Sequence, residues 1–403
     1  MSSDEIDRIF EKAGVSRSLL KNRPTLSIDY VPEALPFRDF EIKNVAQILS
    51  TIFKGGRPSN LFLYGKPGTG KTAVVRTVTD KLQSRATQHG IQVVIPFINA
   101  KDNNSPYKLL FEVAKYIMAG SAKQKSKVPF TGLSISEAID RILQEVQANK
   151  VHVILVIDEI DAFVDKNGDE ILYTFTRANQ RIKAGFVTLI GISNRDDFKE
   201  KLDPRVRSSL SEEEIVFHGY TIEQLGKILQ QRSELAFNQG AISAGATNLC
   251  AVIAGKDHGD ARKAIDLLRV AAELAEREGA SSVNENHIRQ AQEQIEKDIT
   301  YDILRHSTMH SKLVLLAVMH SNNRFTGEVY TKYSSLCQNL EQEPLTQRRL
   351  TQIIGELKQQ GLVDSGVVSQ GRYGRSQRIK LTVPQAKLRK ALQEDPTFSE
   401  IVS

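Results

Sequence analysis

Two hydrophobic patterns alternate along the first half of this chain. Largely apolar runs lie at residues 61–64, 151–157 and 186–192, and a further strand-like stretch at 91–98 ends in Asn99. Runs of that length, apolar on both faces, predict strands buried inside a parallel sheet. Between them apolar residues recur at helical spacing: Ile42, Val45, Ala46, Ile48, Leu49 and Ile52; residues 73–84; Leu109, Leu110, Val113, Ala114 and Ile117 within 106–119; and residues 134–148. Strands alternating with helices predict an α/β sheet with crossover helices. From residue 221 to about 298 the strand pattern stops and helical periodicity fills 222–237, 244–254, 260–278 and 285–297. A second shift of composition falls near 300–306. Helical patterns follow at 311–320, 328–339 and 347–360, then β-prone runs at 362–369 and 377–383 around the basic, glycine-bearing tip 370–376. Three helices and a hairpin are the order of a winged helix. The expected domains are therefore an α/β domain at 1–220 with an N-terminal arm, a helical domain at 221–299 and a winged helix at 300–403. In the arm, residues 1–29, the helical signal is weak (Ile6, Ile9, Phe10, Ala13).

Composition adds constraints. Hydrophobic residues are 40% and charged residues 25% of 403, ordinary for a globular protein of several domains. No apolar run approaches the roughly 20 residues of a membrane span, and residues 1–9 lack the apolar core of a signal peptide. Cys250 and Cys337 stand far apart with no metal-ligand spacing, as expected of reduced thiols in a cytoplasmic protein. The net charge is +6, yet residues 345–390 hold ten Lys/Arg against two acids, +8, which leaves about −2 for the rest. Positive charge concentrated at one end points to a polyanion there.

The candidate chemistry begins at Gly65-Lys66-Pro67-Gly68-Thr69-Gly70-Lys71-Thr72, followed by Ala73. It stands between a strand and a helix and fits the phosphate-binding loop G-x-x-x-x-G-K-[ST]. Glycines let backbone N–H groups converge, and the helix N-terminus adds positive potential. Lys71 would reach the β- and γ-phosphates, and the Thr72 hydroxyl would ligate Mg²⁺. About eighty residues on, the buried strand 151–157 runs into Asp158 and Glu159. Asp158 suits Mg²⁺, and Glu159 suits an attacking water. Asn194, just past the strand 186–192, could bond the γ-phosphate or that water. Arg262, in Gly259-Asp260-Ala261-Arg262 at a helix start, could reach the γ-phosphate. Arg205 and Arg207, in Asp203-Pro204-Arg205-Val206-Arg207-Ser208-Ser209, could project toward a neighbouring subunit as an arginine finger.

In this order the motifs resemble the AAA+ ATPases, and among them the archaeal replication initiators of the cell-division-control/origin-recognition-complex type. The residues carrying the resemblance are Tyr30-Val31-Pro32-Glu33 with Leu35-Pro36-Phe37-Arg38, the loop 65–72, 128–133, Asp158-Glu159-Ile160-Asp161, Leu202-Asp203-Pro204-Arg205-Val206 and Gly259–Arg262. The resemblance implies an AAA+ parallel-sheet domain, an all-helical lid and a C-terminal winged-helix domain. It implies ATP/ADP and Mg²⁺ as cofactors, slow ATP hydrolysis, and an adenine pocket framed by Val31, Pro32, Arg38 and Tyr220. Asn194 and Arg262 become sensors 1 and 2, and the helix 106–119 an insertion that touches DNA. Many relatives carry an arginine where this chain has Ser209, which favours Arg205 over Arg207 as the finger. The implied partners are double-stranded origin DNA, the replicative helicase and other initiator subunits, in a cytoplasmic, nucleoid-associated protein.

At the basic end, Leu350, Ile353, Ile354 and Leu357 define a core-facing helix stripe. That turns Arg348, Arg349 and Gln352 outward as base-reading candidates near the helix start. Arg372, Tyr373, Arg375 and Arg378 would form a wing on phosphates or a minor groove. Two other readings fit parts of the pattern: a transcription regulator that senses nucleotide, and a clamp-loader or recombination motor. The carboxylate pair at 158–159 speaks against the first, the basic winged helix against the second.

Overall fold

A computed structural model describes residues 18–119, 132–256, 258–321, 325–369, 375–395 and 397–398. It divides into two compact units, residues 1–288 and 289–403.

The first unit is organised on a parallel sheet. In chain order it contains α1 (Asp39–Leu49), β1 (Leu61–Tyr64), α2 (Lys71–Gln88), β2 (Val93–Val94), β3 (Phe97–Asn99), α3 (Pro106–Ala119), α4 (Ile135–Asn149), β4 (His152–Asp158), α5 (Ile160–Asn167), α6 (Glu170–Thr176), β5 (Phe186–Ser193), α7 (Pro204–Leu210) and β6 (Glu213–Val216). The strand order is β2-β4-β5-β1-β6, with β3 pairing β4 beside β2. The expected single strand at 91–98 is thus two short ones. Pro96 lies between them and has no N–H for the ladder, although its carbonyl still accepts from Val156 N–H at 2.8 Å. Strand β6 was not legible: it sits at the sheet edge and buries Ile215 alone of its four residues. The runs at β4 and β5 are buried almost throughout, as expected of central strands.

Two apolar layers cover the sheet. One face carries Val45, Leu49, Val74, Val75 and Val78 from α1 and α2. The other carries Leu109, Val113, Ile139, Ile142 and Phe163 from α3, α4 and α5. Parallel register matters most for the site. Tyr64 pairs with Ser193, Asn99 with Asp158, and Asp158 with Ile192. The C-terminal ends of four strands therefore share one edge, where open α/β sheets bind ligands.

The helical part follows as α8 (Ile222–Ala236), α9 (Ala244–Lys256) and α10 (Ala261–Glu278). Thr221 and Gln224 close a capping box on α8, and the Asp260 carboxylate caps α10 through Arg262 and Lys263 N–H. The described part of the arm packs on this lid. Arg232 donates to the carbonyls of Thr25 and Tyr30, each at 3.0 Å, and Glu276 accepts from Ser18, Leu19 N–H and Arg23. The arm's expected helical pattern at Ile6–Ala13 lies outside the described residues.

The composition shift at 300–306 is not a backbone break, because α11 runs unbroken over Glu285–His306. The second unit continues with α12 (Met309–His320), α13 (Thr326–Asn339), α14 (Gln347–Gln359), β7 (Val363–Ser369), β8 (Arg375–Leu381) and α15 (Gln385–Gln393). Helix α15 was not anticipated. Pro384 precedes it, and Leu388, Ala391 and Leu392 bury its short apolar face. The stripe Leu350, Ile353, Ile354 and Leu357 is buried as its spacing predicts. Cys250 and Cys337 are both free and buried. No helix among the described residues is long and apolar enough to cross a membrane.

Candidate functional site

Sheet register and lid converge on one cavity. Its phosphate half, about 240 Å³, is lined by Gly68, Thr69, Gly70, Lys71, Thr72, Arg76, Asn99, Asp158, Glu159, Asn194 and Arg262, with Ile28 and Asp29. A contiguous half of about 340 Å³ shares several of these residues and adds Tyr30, Val31, Pro32, Leu35, Ala73, Tyr220, Ile228 and Ile265. One half is polar and the other mainly apolar, a combination that suits a charged ligand with a flat organic group.

The loop that follows β1 enters α2 at Lys71. At Gly68 an added Cβ would overlap the Asp260 carboxylate of the lid, and at Gly70, φ 91°, it would lie 2.9 Å from the Tyr220 hydroxyl. A side chain at either turn would be strained by its left-handed φ and would displace the Asp260 carboxylate or the Tyr220 hydroxyl. Lys71 Nζ donates to the carbonyls of Gly65 and Lys66, both at 2.8 Å. Burial brings its ammonium down from the ordinary 10.5 to about 8; attraction from Asp158 opposes this and the Arg262 charge adds to it. Thr72 Oγ1 donates to Asp158 Oδ2 at 2.8 Å, and Glu159 N–H donates to Oδ1 at 2.9 Å. Burial raises Asp158 above the usual carboxylate range despite those two bonds. Two oxygens suited to a hard cation thus stand together at the mouth of the loop. Among the described residues no group of three or more acidic, His or Cys side chains could hold a metal, so a cation here would need ligand oxygens and water as well.

Glu159 takes a left-handed φ of 55°, which turns its side chain out of the strand line and into the cavity wall. Lys101 Nζ lies 3.0 Å from Glu159 Oε2 as an ion pair, without the geometry of a hydrogen bond. Asn194 and Arg262 reach the same cavity from β5 and from the lid.

Some candidates fall elsewhere. Lys66 and Pro67 are exposed, and neither lines the cavity. Gly65 takes part through its carbonyl. Arg38 is buried behind the loop and lines neither half. Arg205 is exposed and away from this cavity, held on Asp203 and over the Tyr173 ring at 5.1 Å. Arg207 is exposed as well. Ile28, Asp29, Arg76, Asn99, Ile228 and Ile265 were not anticipated. The strand-terminal position of Asn99 was the one legible signal among them.

In the second unit, Thr346 caps α14 by accepting from Arg349 N–H. Arg348 and Gln352 stand exposed on the outer face, and Arg349 pairs with Glu356 at 3.8 Å. Lys358 pairs with Asp364 at 2.9 Å. Both acids of the basic segment are thus paired within it, which leaves Arg348, Arg378, Lys380, Arg389 and Lys390 as exposed charge among the described residues. Arg378 sits on β8 opposite Gly366 and bridges to Phe325. Arg372 and Tyr373 lie outside the described residues, and of Arg375 only the backbone, paired with Ser369, is described.

Sheet order, phosphate loop and helical lid define an AAA+ ATPase-type chain joined to a winged helix. Comparison with known proteins agrees. Family models match for an AAA domain over residues 55–197, the Cdc6 AAA+ ATPase-type lid domain over 226–293 and the CDC6 C-terminal winged helix domain over 302–391. The ORC1-type DNA replication protein of Cenarchaeum symbiosum is 44% identical over 402 residues, covering 99% of this chain and 97% of that protein. That of Pyrococcus furiosus is 43% identical, covering 99% and 96%. The structure of Aeropyrum pernix ORC1 in complex with DNA superposes with a TM-score of 0.84 at 40% identity, over 96% of this chain and 100% of that one. The chain belongs to the ORC1/Cdc6-type family of AAA+ DNA replication initiators.

Proposed function

We propose that this chain binds double-stranded origin DNA and that ATP binding and hydrolysis switch its competence to help load the replicative helicase. The observation that carries this is the convergence of Lys71, Thr72, Asp158, Glu159, Asn194 and Arg262 on one cavity in a chain 40% identical to a DNA-bound ORC1. In this reading the apolar half takes the adenine, between Val31, Pro32, Ala73 and Tyr220. Loop N–H groups and Lys71 take the phosphates. Thr72 and Asp158 fit Mg²⁺, which would supply charge neutralisation at the phosphates. Glu159 orients or deprotonates the attacking water, Asn194 holds it, and Lys71 with Arg262 balances charge on the transferred phosphoryl. Hydrolysis is slow because Arg205, the favoured finger, serves a neighbouring initiator subunit. The DNA surface comprises Arg348, Arg349, Gln352, Arg372, Tyr373, Arg375 and Arg378, with the insertion helix α3 as a second contact.

Footprinting of the full chain on genomic DNA, with ATP and with ADP, tests the proposal. Protection at a replication start region that differs between the two nucleotides is expected. Protection scattered over promoters, with none at a start region, would replace it by the nucleotide-sensing regulator.

A further inference from the structure

The family resemblance assigns Arg38 to the adenine pocket, but its contacts are of another kind. The residue is only 6% exposed. Its Nε donates to the Thr69 carbonyl of the phosphate loop at 2.9 Å and to the Tyr220 hydroxyl at 3.0 Å. One terminal nitrogen donates to Glu41 at 2.8 Å, and the other to the His218 carbonyl at 2.7 Å. The guanidinium stacks on the Tyr220 ring at 4.1 Å and lies 5.4 Å from that of Phe217. Thr69 belongs to the loop, and His218 and Tyr220 to the link between sheet and lid. One side chain therefore ties the loop to the link, with Glu41 balancing its charge.

Backbone strain marks the same place. Phe37, immediately before Arg38, has φ 63°, a costly conformation for a bulky aromatic that persists only where surrounding contacts enforce it. The link is also packed backbone to backbone. A Cβ on Gly65 would overlap the Phe217 carbonyl, one on Gly219 the His258 carbonyl, and one on Gly259 the Tyr220 carbonyl. Thr69 precedes the two residues that open the loop's anion-binding end, so holding its carbonyl back keeps the following N–H groups aimed at the cavity.

We infer that Arg38 is a positioning residue for the phosphate loop, setting phosphate affinity through the Thr69 carbonyl and tying it to the lid link through His218 and Tyr220, without reading the base. A lysine could not replace it, because a point charge cannot serve four divergent acceptors as a planar fork does. This role presupposes the nucleotide-binding reading of the same cavity, and the test keeps the two apart.

The test measures equilibrium binding of ADP, GDP and inorganic pyrophosphate to the full chain, wild type and variants, at a temperature where melting curves show each folded. Arg38→Gln is expected to weaken all three ligands by one common factor of about tenfold or more, with the ADP/GDP ratio unchanged. Arg38→Lys recovers only part of this. Tyr220→Phe, which keeps the ring and removes one acceptor, weakens pyrophosphate by about twofold to fivefold and stands in if Arg38→Gln does not fold. A changed ADP/GDP ratio with pyrophosphate binding intact would overturn the inference, as would unchanged constants throughout. Wild-type protein that binds none of the three probes would instead remove the nucleotide reading, and this role with it.

Discussion

Around the phosphate loop Lys71, Asp158 and Arg38 are buried and held by hydrogen bonds, whereas on the winged helix the charged side chains stand in solvent over an apolar core that does not need them. Lys71 rests on two loop carbonyls, Asp158 accepts from Thr72 and from a backbone N–H, and Arg38 is neutralised by Glu41. Two of the non-glycine residues with left-handed φ, Phe37 and Glu159, adjoin this region. By contrast, Leu350, Ile353, Ile354 and Leu357 bury one side of α14 while Arg348 and Gln352 occupy the other. At the cavity, fold and chemistry use the same side chains, so changes there are coupled and large. On the winged helix they use opposite faces, so changes are separable, small and screened by salt.

The largest expected effect is on chemistry alone. Glu159→Gln should reduce ATP turnover by about 10²–10⁴-fold while leaving ATP affinity within a few-fold, measured by phosphate release and by binding. Unchanged turnover would take Glu159 out of the site. Next comes Glu41→Ala, which leaves the buried Arg38 charge unbalanced. Their side chains are 11% and 7% exposed respectively, and breaking such a pair costs about 3–5 kcal/mol, read in urea unfolding of the full chain. A loss below about 1 kcal/mol would place the pair with surface ion pairs and blunt the contrast between the two regions.

A third prediction concerns pH. The ligand-free Lys71 titrates at about 8 instead of 10.5, and bound phosphates favour its charged form. Above pH 8 binding must therefore take up a proton, and affinity falls by up to about tenfold per pH unit. Calorimetry in buffers of different ionisation enthalpy should show this uptake appear as pH passes 8. For ligand-free stability the sign is opposite. Between pH 8 and 10.5 the unfolded chain holds a proton that the folded chain lacks, so this group's contribution rises with pH; below pH 8 its penalty is fully present.

On the winged helix, Arg348→Ala should cost about 1–3 kcal/mol of duplex affinity and relax preference at one base position. Arg378→Ala should lower affinity for all sequences alike and flatten the salt slope by about 0.9. Neither should move the unfolding midpoint. The smallest effect is expected from Arg349→Ala, whose half-exposed pair with Glu356 contributes about 0–1 kcal/mol to stability. A large loss of fold from any of the three would mean that the basic face is structural.

Local spacing made much of this protein legible. The loop 65–72 is contiguous, Asp158 and Glu159 end a visible strand, and the α14 stripe repeats at helical intervals, so each was readable from near neighbours in sequence. Short elements were not. Strand β6 buries one residue, and α5, α6 and α7 are only 7–8 residues long, too brief to show a period. The split at Pro96 was within reach, since proline cannot donate to a ladder. What only the tertiary structure decided is which distant residues meet. Parallel register brings Asn99 to one side of Asp158 and the end of β5 to the other, and the lid brings Ile228 and Ile265 over the loop. Arg38 shows the limit most plainly: its sequence context placed it with its neighbours Val31 and Pro32, yet it lines neither half of the cavity and instead bonds the Thr69 and His218 carbonyls from its place just before α1. A motif specifies which chemistry is possible, because the groups that perform it are close along the chain. Which side of the loop a side chain reaches depends on packing between elements remote in sequence, and no local pattern encodes that.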